Sequence, residues 1–466
     1  MSYSTETPVE TAVLVGLSVP GIPTWEAEDS LDELARLTDT ATITVVERML
    51  QARPRVDPTY YIGKGKAHEL KDLAKKLKAN MIIFDNDLSP AQMRNLEELC
   101  DTRVLDRSAI ILDIFSQHAR TRTSQVQVEL AQLNYLFPRL TGHWTHLSRQ
   151  AGGGAIRGMG AAGVRGPGET QLEIDRRLIR GRIGALQREL DKIDGQLATS
   201  RKARGDSFKV ALVGYTNAGK STLMRAMSGA DVLVQDQLFA TLDSTTRSIE
   251  LDQTHKVLLT DTVGFIKRLP HHLFASFRAT LEETLEADLL LHVVDMSHPH
   301  YDAQMETVQS VLTDLGVESK RTMLVMNKID QIGDGDEVEM HIRATADQAD
   351  RVAVSALSGA GLDVLKQKIL YYCQEHEVTL DLRIPQAEGR LLSQLHEQGE
   401  ILEQEYAPED VFVRVRVDRS WVERLGLDRF VDAARDQTAA AEEGSAGGPA
   451  ATSLGAGAVR SGRIAT

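Results

Sequence analysis

An apolar run, Phe208–Val213, leads directly into Gly214-Tyr215-Thr216-Asn217-Ala218-Gly219-Lys220-Ser221-Thr222, and Leu223 onward has a helical pattern. This is G-x-x-x-x-G-K-[ST] in its required strand–loop–helix setting. The chemistry dictates the residues. Backbone N–H groups of Asn217 to Lys220 can wrap a β-phosphate, and the glycines allow the curl. The helix start adds its positive dipole end. Lys220 reaches β/γ oxygens, and the Ser221 hydroxyl suits Mg²⁺. A chain built around this loop is committed to a doubly wound α/β sheet that binds a nucleotide.

Three further elements follow in order. Val257–Gly264 is an apolar strand ending in Asp261-Thr262-Val263-Gly264. Asp261 can hold Mg²⁺ through water, and the Gly264 N–H can swing onto a γ-phosphate, a contact that exists only in the triphosphate state. Thr322–Asp330 is a strand presenting Asn327-Lys328-Ile329-Asp330. The Asp330 carboxylate can accept from guanine N1–H and the 2-amino group, donors that adenine lacks, so the pattern selects GTP. Ser355-Ala356-Leu357 offers a backbone N–H to guanine O6. Four elements in this order read as a GTPase that turns GTP and water into GDP and phosphate. In the segment Phe239-Ala240-Thr241-Leu242-Asp243-Ser244-Thr245-Thr246, one threonine must complete the Mg²⁺ shell, and Thr241, Thr245 and Thr246 all qualify chemically. Lys220, Thr241 and Gly264 are the candidate catalytic residues. Small GTPases place a water-orienting Gln after the D-x-x-G glycine. Here it is Phe265, so slow intrinsic hydrolysis and stimulation by a partner are expected. His271 and His272 are either catalytic helpers or surface residues.

The rest of the 466 residues must fill several more domains. Residues 12–117 alternate strand-like and helix-like stretches, which implies a parallel α/β unit. Ala12–Val19, Ala41–Val46 and Met81–Phe84 read as strands. Ser30–Leu37 reads as a helix capped by Ser30, and Ser89-Pro90 starts another. Gly63-Lys64-Gly65-Lys66 is either a tight turn with solvated lysines or a contact for phosphate or RNA. Residues 118–205 carry two heptad-like seams. One is Val126, Leu130, Leu133 and Phe137; the other runs from Leu172 through Ile183, Leu186 and Leu190 to Leu197. They predict a long antiparallel helical hairpin. Between the seams lies Gly142–Gly168, too Gly-rich for regular structure. Beyond the G domain (206–375), residues 376–435 read as a small α+β domain, with strands at Val378–Leu382 and Val411–Val417. Helices are expected over Gly389–Glu405 and from Arg419 to about Ala434. Residues 436–466 read as a disordered tail.

Net charge is −14, which taken alone opposes nucleic-acid binding. Arg139–Arg204, however, holds 13 Lys+Arg against 6 Asp+Glu, a +7 arm on a −21 remainder. Arg149, Arg157 and Arg165, with Trp144, His143 and His146 nearby, suit RNA approach and base stacking. The bland alternative is a soluble linker. Two cysteines, Cys100 and Cys373, exclude a disulfide scaffold. The N-terminus lacks a signal-peptide pattern, and no apolar run spans a bilayer. A cytoplasmic protein without membrane contact is expected.

The stretch GHWTHLSRQAGGGAIRGMGAAGVRGPGETQLEIDRRLIRGRI (142–183), then LFATLD (238–243) and DTVGFIKRLP (261–270), resembles the HflX family of the Obg-HflX superfamily, over roughly residues 10–430. The resemblance implies an α/β-plus-helical region before the G domain, and a Mg²⁺-dependent GTPase. It also implies binding to the large (50S) ribosomal subunit, with roles in dissociating or rescuing stalled ribosomes or in biogenesis. Ribosomal RNA would then meet residues 139–204, and the ribosome would be the stimulating partner of a monomeric protein. The family pattern places the switch threonine at Thr241. Ser244 stands where many members have Pro, a mild departure. A regulatory switch acting on a protein effector is the alternative, and a second nucleotide site in the N-terminal unit is a third possibility.

Overall fold

The computed structural model describes residues 10–21, 23–140, 171–203, 208–229, 238–239, 241–252, 255–267, 283–317, 319–333, 335–348 and 350–432. Two compact units divide the chain at Leu370/Tyr371.

The first unit opens with four parallel strands, β1 (Thr11–Ser18), β2 (Thr44–Ala52), β3 (Met81–Phe84) and β4 (Arg103–Asp106), in the order β2-β1-β3-β4. Helices α1 (Thr24–Thr40), α2 (Lys64–Leu77), α3 (Pro90–Cys100) and α4 (Arg107–His118) cover both faces. Successive β1 side chains therefore enter different cores. Ala12 and Leu14 join Leu34, Leu37 and Ile111, while Val13 and Val15 join Leu70, Ile82 and Leu96. Ser89 caps α3 and Pro90 occupies its first turn, as expected, and the Gln92 side chain completes a capping box.

The Ser30 cap does not. Helix α1 starts earlier, at Thr24 after Pro23, and Ser30 lies mid-helix, donating its hydroxyl to buried Asp85 at 2.7 Å. Residues 41–43 close α1 instead of opening a strand, with Thr42 at φ 61°, so β2 begins at Thr44.

The two seams pair. Helix α5 (Arg122–Leu136) lies antiparallel to α6 (Gln171–Ala203), with Val126, Leu130 and Leu186 buried between them. Arg182 grips both Glu129 oxygens at 2.6 and 2.7 Å, and Arg122 bonds Glu189 at 2.7 Å. Residues 142–168, including Arg149, Arg157 and Arg165, lie outside the described residues. Arg139 was counted with the outward-facing arm, but it turns inward. Its guanidinium bonds Asp106 and the Leu88 carbonyl, each at 3.0 Å, and lies 3.7 Å over the Tyr135 ring.

The second sheet comprises β5 (Lys209–Gly214), β6 (Thr245–Glu250), β7 (Lys256–Asp261), β8 (Leu289–Asp295), β9 (Arg321–Asn327) and β10 (Arg351–Ala353). Its order is β10-β9-β8-β5-β7-β6, parallel except for β6 against β7. β5 sits between β7 and β8, where successive crossovers leave in opposite directions. The crevice beyond the carboxyl end of such a strand is where α/β sheets bind ligands. Helix α7 (Lys220–Ser228) starts there. Its neighbours in sequence are α8 (Tyr301–Asp314), α9 (Gly335–Ala346) and α10 (Leu362–Glu375).

The second unit has an antiparallel sheet of β11 (Glu377–Pro385), β12 (Glu400–Tyr406) and β13 (Asp410–Asp418), ordered β11-β13-β12. The helix expected over Gly389–Glu405 is corrected to α11 (Gly389–Gln398) followed by β12. Gly399 turns the chain in extended conformation, and a Cβ there would meet Val415 Cγ2 at 2.8 Å. The last helix, α12 (Arg419–Leu425), is also shorter than expected. It stops at Gly426 (φ 62°), and Val431 then pairs with Leu382. Residues 433–466 lie outside the described residues. Among the described residues no helix is long and apolar enough to cross a membrane.

Candidate functional site

The loop after β5 curls through left-handed conformations at Asn217 (φ 59°) and Gly219 (φ 92°). A Cβ on Gly219 would meet Asn327 Nδ2 at 2.3 Å, so only glycine fits. The loop holds Lys220 almost out of water, at 6% exposure. Its ammonium donates to the carbonyls of Gly214 (3.1 Å) and Tyr215 (2.8 Å). Burial lowers its pKa to about 8, and nearby Asp261 only partly opposes this.

Three oxygens meet beside Lys220. Ser221 Oγ donates to Asp261 Oδ2 at 2.6 Å and lies 2.7 Å from Thr241 Oγ1, which donates to the same carboxylate oxygen at 3.0 Å. Asp261 Oδ1 is buried without a partner among the described residues. Burial raises the Asp261 pKa, while Lys220 and the two hydroxyls oppose the shift. Two hydroxyls and one carboxylate, one of whose oxygens is buried without a partner among the described residues, are hard donors that fit a small divalent cation such as Mg²⁺. Thr245 and Thr246 belong to β6. Thr245 pairs in register with Asp261 and borders the same cavity, but its hydroxyl bonds none of the cation donors, and Thr246 meets Thr260 at 2.9 Å.

The D-x-x-G turn closes over the loop. A Cβ on Gly264 would meet Thr216 Cα at 2.9 Å and Lys220 Nζ at 3.0 Å. Phe265 is 3% exposed. Its N–H donates to Gly214 O at 3.0 Å, and its carbonyl accepts from Thr216 N–H at 2.7 Å. The side chain is core, and the backbone staples this turn to the phosphate loop. Thr262 spends its hydroxyl on Leu212 O at 2.6 Å, and Val263 is buried. His271 and His272 lie outside the described residues.

On the far side, Asn327 ties two loops together. Its Nδ2 donates to Ala218 O at 2.8 Å, and its Oδ1 accepts from Ala356 N–H at 3.0 Å. Asp330 Oδ1 accepts from Ser355 Oγ at 2.6 Å. Lys328 pairs with Asp295 at 2.8 Å, Ile329 is buried, and Leu357 is 75% exposed at the cavity rim. The sequence elements thus border one cavity of about 910 Å³, which includes Lys220, Ser221, Thr222, Thr241, Gly264 and Asp330.

Sequence reasoning missed how deeply the N-terminal half enters this site. Along α1, Glu26, Asp29, Glu33 and Arg36 recur at helical spacing 3, 4 and 3, and this stripe faces the G half. Glu26 pairs with Lys267 at 2.8 Å, and Asp29 faces His298 at 3.7 Å. Glu33 accepts from the Tyr215 hydroxyl at 2.5 Å, and that hydroxyl accepts from Lys267 N–H at 2.8 Å. Behind Glu33 lies buried Arg107, paired with Glu33 and Asp85. In the switch segment only Thr241 turns to the cation donors. Phe239 (φ 58°) stacks edge-on against Phe115 at 4.7 Å, Leu242 is buried, and Asp243 binds the α4–α5 connection. Ala240 lies outside the described residues. The charged stripe on α1 was the available signal. Nothing local marked its partners.

Similarity to known proteins agrees with this geometry. Residues 28–116 match the family described as GTP-binding GTPase N-terminal, 118–204 GTP-binding GTPase Middle Region, and 209–328 50S ribosome-binding GTPase. GTPase HflX of Lacrimispora saccharolytica is 43% identical over 394 residues, covering 84% of this chain and 90% of that protein. GTPase HflX of Escherichia coli is 44% identical over 392 residues, covering 84% and 89%. A solved GTP-binding protein from Sulfolobus solfataricus in complex with GDP is 22% identical, covering 78% of this chain and 99% of that one, at TM-score 0.40. The phosphate loop, the D-x-x-G turn and the N-K-x-D strand stand where a GTPase needs them, and the two relatives are 43% and 44% identical over 84% of the chain: this chain belongs to the HflX family of GTPases.

Proposed function

We propose that this GTPase is a Mg²⁺-dependent switch that docks on the large ribosomal subunit and is released by hydrolysis. In this reading residues 1–117, 118–205, 206–375 and 376–435 act as successive domains, ahead of a tail at 436–466. The carrying observation is the meeting of Ser221, Thr241 and Asp261 beside a buried, underpaired Lys220.

Backbone N–H groups of 217–220 and the Lys220 ammonium bind phosphates, and Ser221, Thr241 and, through water, Asp261 would hold the cation, which would supply positive charge to the phosphate oxygens. The Gly264 N–H senses the γ-phosphate. Asp330 reads the guanine edge, while Asn327 holds the phosphate loop against the Ser355–Leu357 loop. Phe265 offers no hydrogen bond to an attacking water, so intrinsic turnover is slow and the ribosome stimulates it.

The description 50S ribosome-binding GTPase for the family matching 209–328, and the +7 balance of 139–204, support the ribosomal partner. The tip residues Arg149, Arg157 and Arg165 are the proposed contacts to ribosomal RNA. The biological role is dissociation or rescue of stalled ribosomes, or subunit biogenesis, by a monomer in the cytoplasm. The test is co-sedimentation with purified large subunits in a GTP analogue, across a salt series, with turnover measured in parallel. Binding that weakens steeply with salt, and faster turnover with subunits, are expected. Equal turnover with and without subunits would falsify the stimulation. Unchanged binding after Arg149→Ala, Arg157→Ala and Arg165→Ala together would exclude the arm.

A further inference from the structure

Phe265 leaves a chemical gap. As the bond from Pγ to the bridging oxygen breaks, negative charge grows on that oxygen and on the γ-oxygens, and a positive group aimed there lowers the barrier. Lys220 supplies one such charge from the loop. The described residues of the cavity include three arginines with no carboxylate within 4.0 Å among the described residues: Arg36, Arg120 and Arg225.

Their positions separate them. Arg36 borders the same cavity and lies in the α1 stripe beside Thr216, Asn217 and His298, on a helix whose backbone bonds no described residue of the switch segment. Arg225 follows Lys220 by five residues on α7, so it points about 140° away around the helix axis. Arg120 is different, because its backbone is held by the switch segment. The Asp243 carboxylate accepts from the N–H groups of Arg120 and Thr121, each at 3.1 Å, and from the Thr121 hydroxyl at 2.6 Å. Two residues before Asp243, Thr241 reaches Ser221 and Asp261. The grip spans 123 positions of sequence and joins the start of α5 to the switch segment. Its effect is to hold the Arg120 backbone at the cavity border while Thr241 is seated, within reach of the phosphates for a long side chain.

We propose that Arg120 is a catalytic arginine supplied in cis to the GTP phosphates, with Asp243 as its positioning residue. The inference rests on the reading of Lys220, Ser221 and Thr241 as the phosphate and cation site. The guanidinium fork donates to a γ-oxygen and the bridging oxygen. Water oxygen bonds to Pγ, the bond from Pγ to the bridging oxygen breaks, and its electron pair stays on the β-phosphate of GDP. The water proton leaves with phosphate or to solvent, and Arg120 keeps all its protons. When the γ-phosphate departs and Thr241 unseats, Asp243 moves with it and withdraws the arginine.

The test is single-turnover GTP hydrolysis by the full chain, with affinity for a fluorescent GTP analogue measured separately. Arg120→Ala is expected to slow hydrolysis on the order of thirtyfold, the gap between GTPases with and without an arginine in cis, while affinity changes less than threefold. Arg120→Lys keeps the charge without the fork and should fall between. Asp243→Asn should slow hydrolysis, with little further loss when combined with Arg120→Ala. Thermal unfolding identifies any variant that fails to fold, and Arg120→Lys then carries the comparison. Arg120→Ala and Arg120→Lys both turning over within twofold of the parent would overturn the proposal and leave the site reading intact. A parent chain that binds no GTP with Mg²⁺ would overturn both.

Discussion

Arg107 and Lys220 are both buried cations in the same unit, one in each α/β half, and their surroundings differ. Arg107 is 2% exposed and sits between two carboxylates, Glu33 and Asp85, with Ser30 at 3.3 Å. Burial alone would lower its pKa, but Glu33 and Asp85 outweigh burial and hold it above its ordinary value. Lys220 has two backbone carbonyls and one carboxylate already shared by two hydroxyls, and burial wins. A buried cation with its counter-charges in place is part of the scaffold. One without them has been desolvated in readiness for a ligand that brings negative charge. The two meet at Tyr215, whose backbone carbonyl caps Lys220 and whose hydroxyl binds the carboxylate that pairs with Arg107.

The comparison breaks most readily at Arg107. Arg107→Met leaves Glu33 and Asp85 buried without their partner and should cost about 3–5 kcal/mol in urea unfolding. A loss under about 1 kcal/mol would mean that the pair is not scaffold. His292 comes next. It is 5% exposed on β8, and burial, assisted by the Lys220 charge, lowers its pKa to about 4. Between the ordinary histidine pKa and about 4, the unfolded chain takes up a proton that the folded chain refuses. Its contribution is therefore intact above pH 6.5 and falls by about 3 kcal/mol as pH drops to 4. His292→Asn should flatten that part of the pH profile, and an unchanged slope would refute it. Lys220→Met should weaken GTP binding about a hundredfold, roughly 2.7 kcal/mol, yet shift the ligand-free urea midpoint less than Arg107→Met does. The reverse ranking would make Lys220 the scaffold residue.

The smallest effect belongs to Lys64 and Lys66. Their Gly-Lys turn superficially matches the phosphate loop. However, the Gly63 N–H is already taken by Gln51 Oε1 at 2.8 Å, Lys64 is exposed, and Lys66 pairs with Glu69 at 2.7 Å. Lys64→Ala with Lys66→Ala should stay within about 0.5 kcal/mol in stability and leave GTP binding unchanged in a filter assay. A tenfold loss of binding would restore a second nucleotide site.

What could be read in advance was local. The phosphate-loop spacing, the Ser89 cap and the apolar seam within each of α5 and α6 are set by residues within a few turns of one another, so sequence carries them. Ser30 misled because its partner, Asp85, lies 55 positions away. A serine satisfied by tertiary contact looks like a cap when only its neighbours are seen. The helix expected over Gly389–Glu405 ends early because Gly399 packs against Val415 and Arg416 of β13, a contact remote in sequence. Arg139 adds to the positive count of 139–204, but its partner Asp106 lies 33 positions away and draws it inward. The contact between Glu33 and Tyr215 spans 182 positions. Nothing near either residue announces it.

Phe115 and Phe239 share one apolar cluster, together with Leu14, Ile111, Tyr215, Leu238 and Leu242. A chain is synthesised from its N-terminus, and domains fold as units during synthesis. The N-terminal side of that cluster, Phe115 included, is thus synthesised before Phe239, and the switch segment emerges against it as against a mould. Without that mould, a chain starting at residue 206 would display Tyr215, Leu238 and Phe239 as an uncovered greasy patch, and it would be prone to self-association.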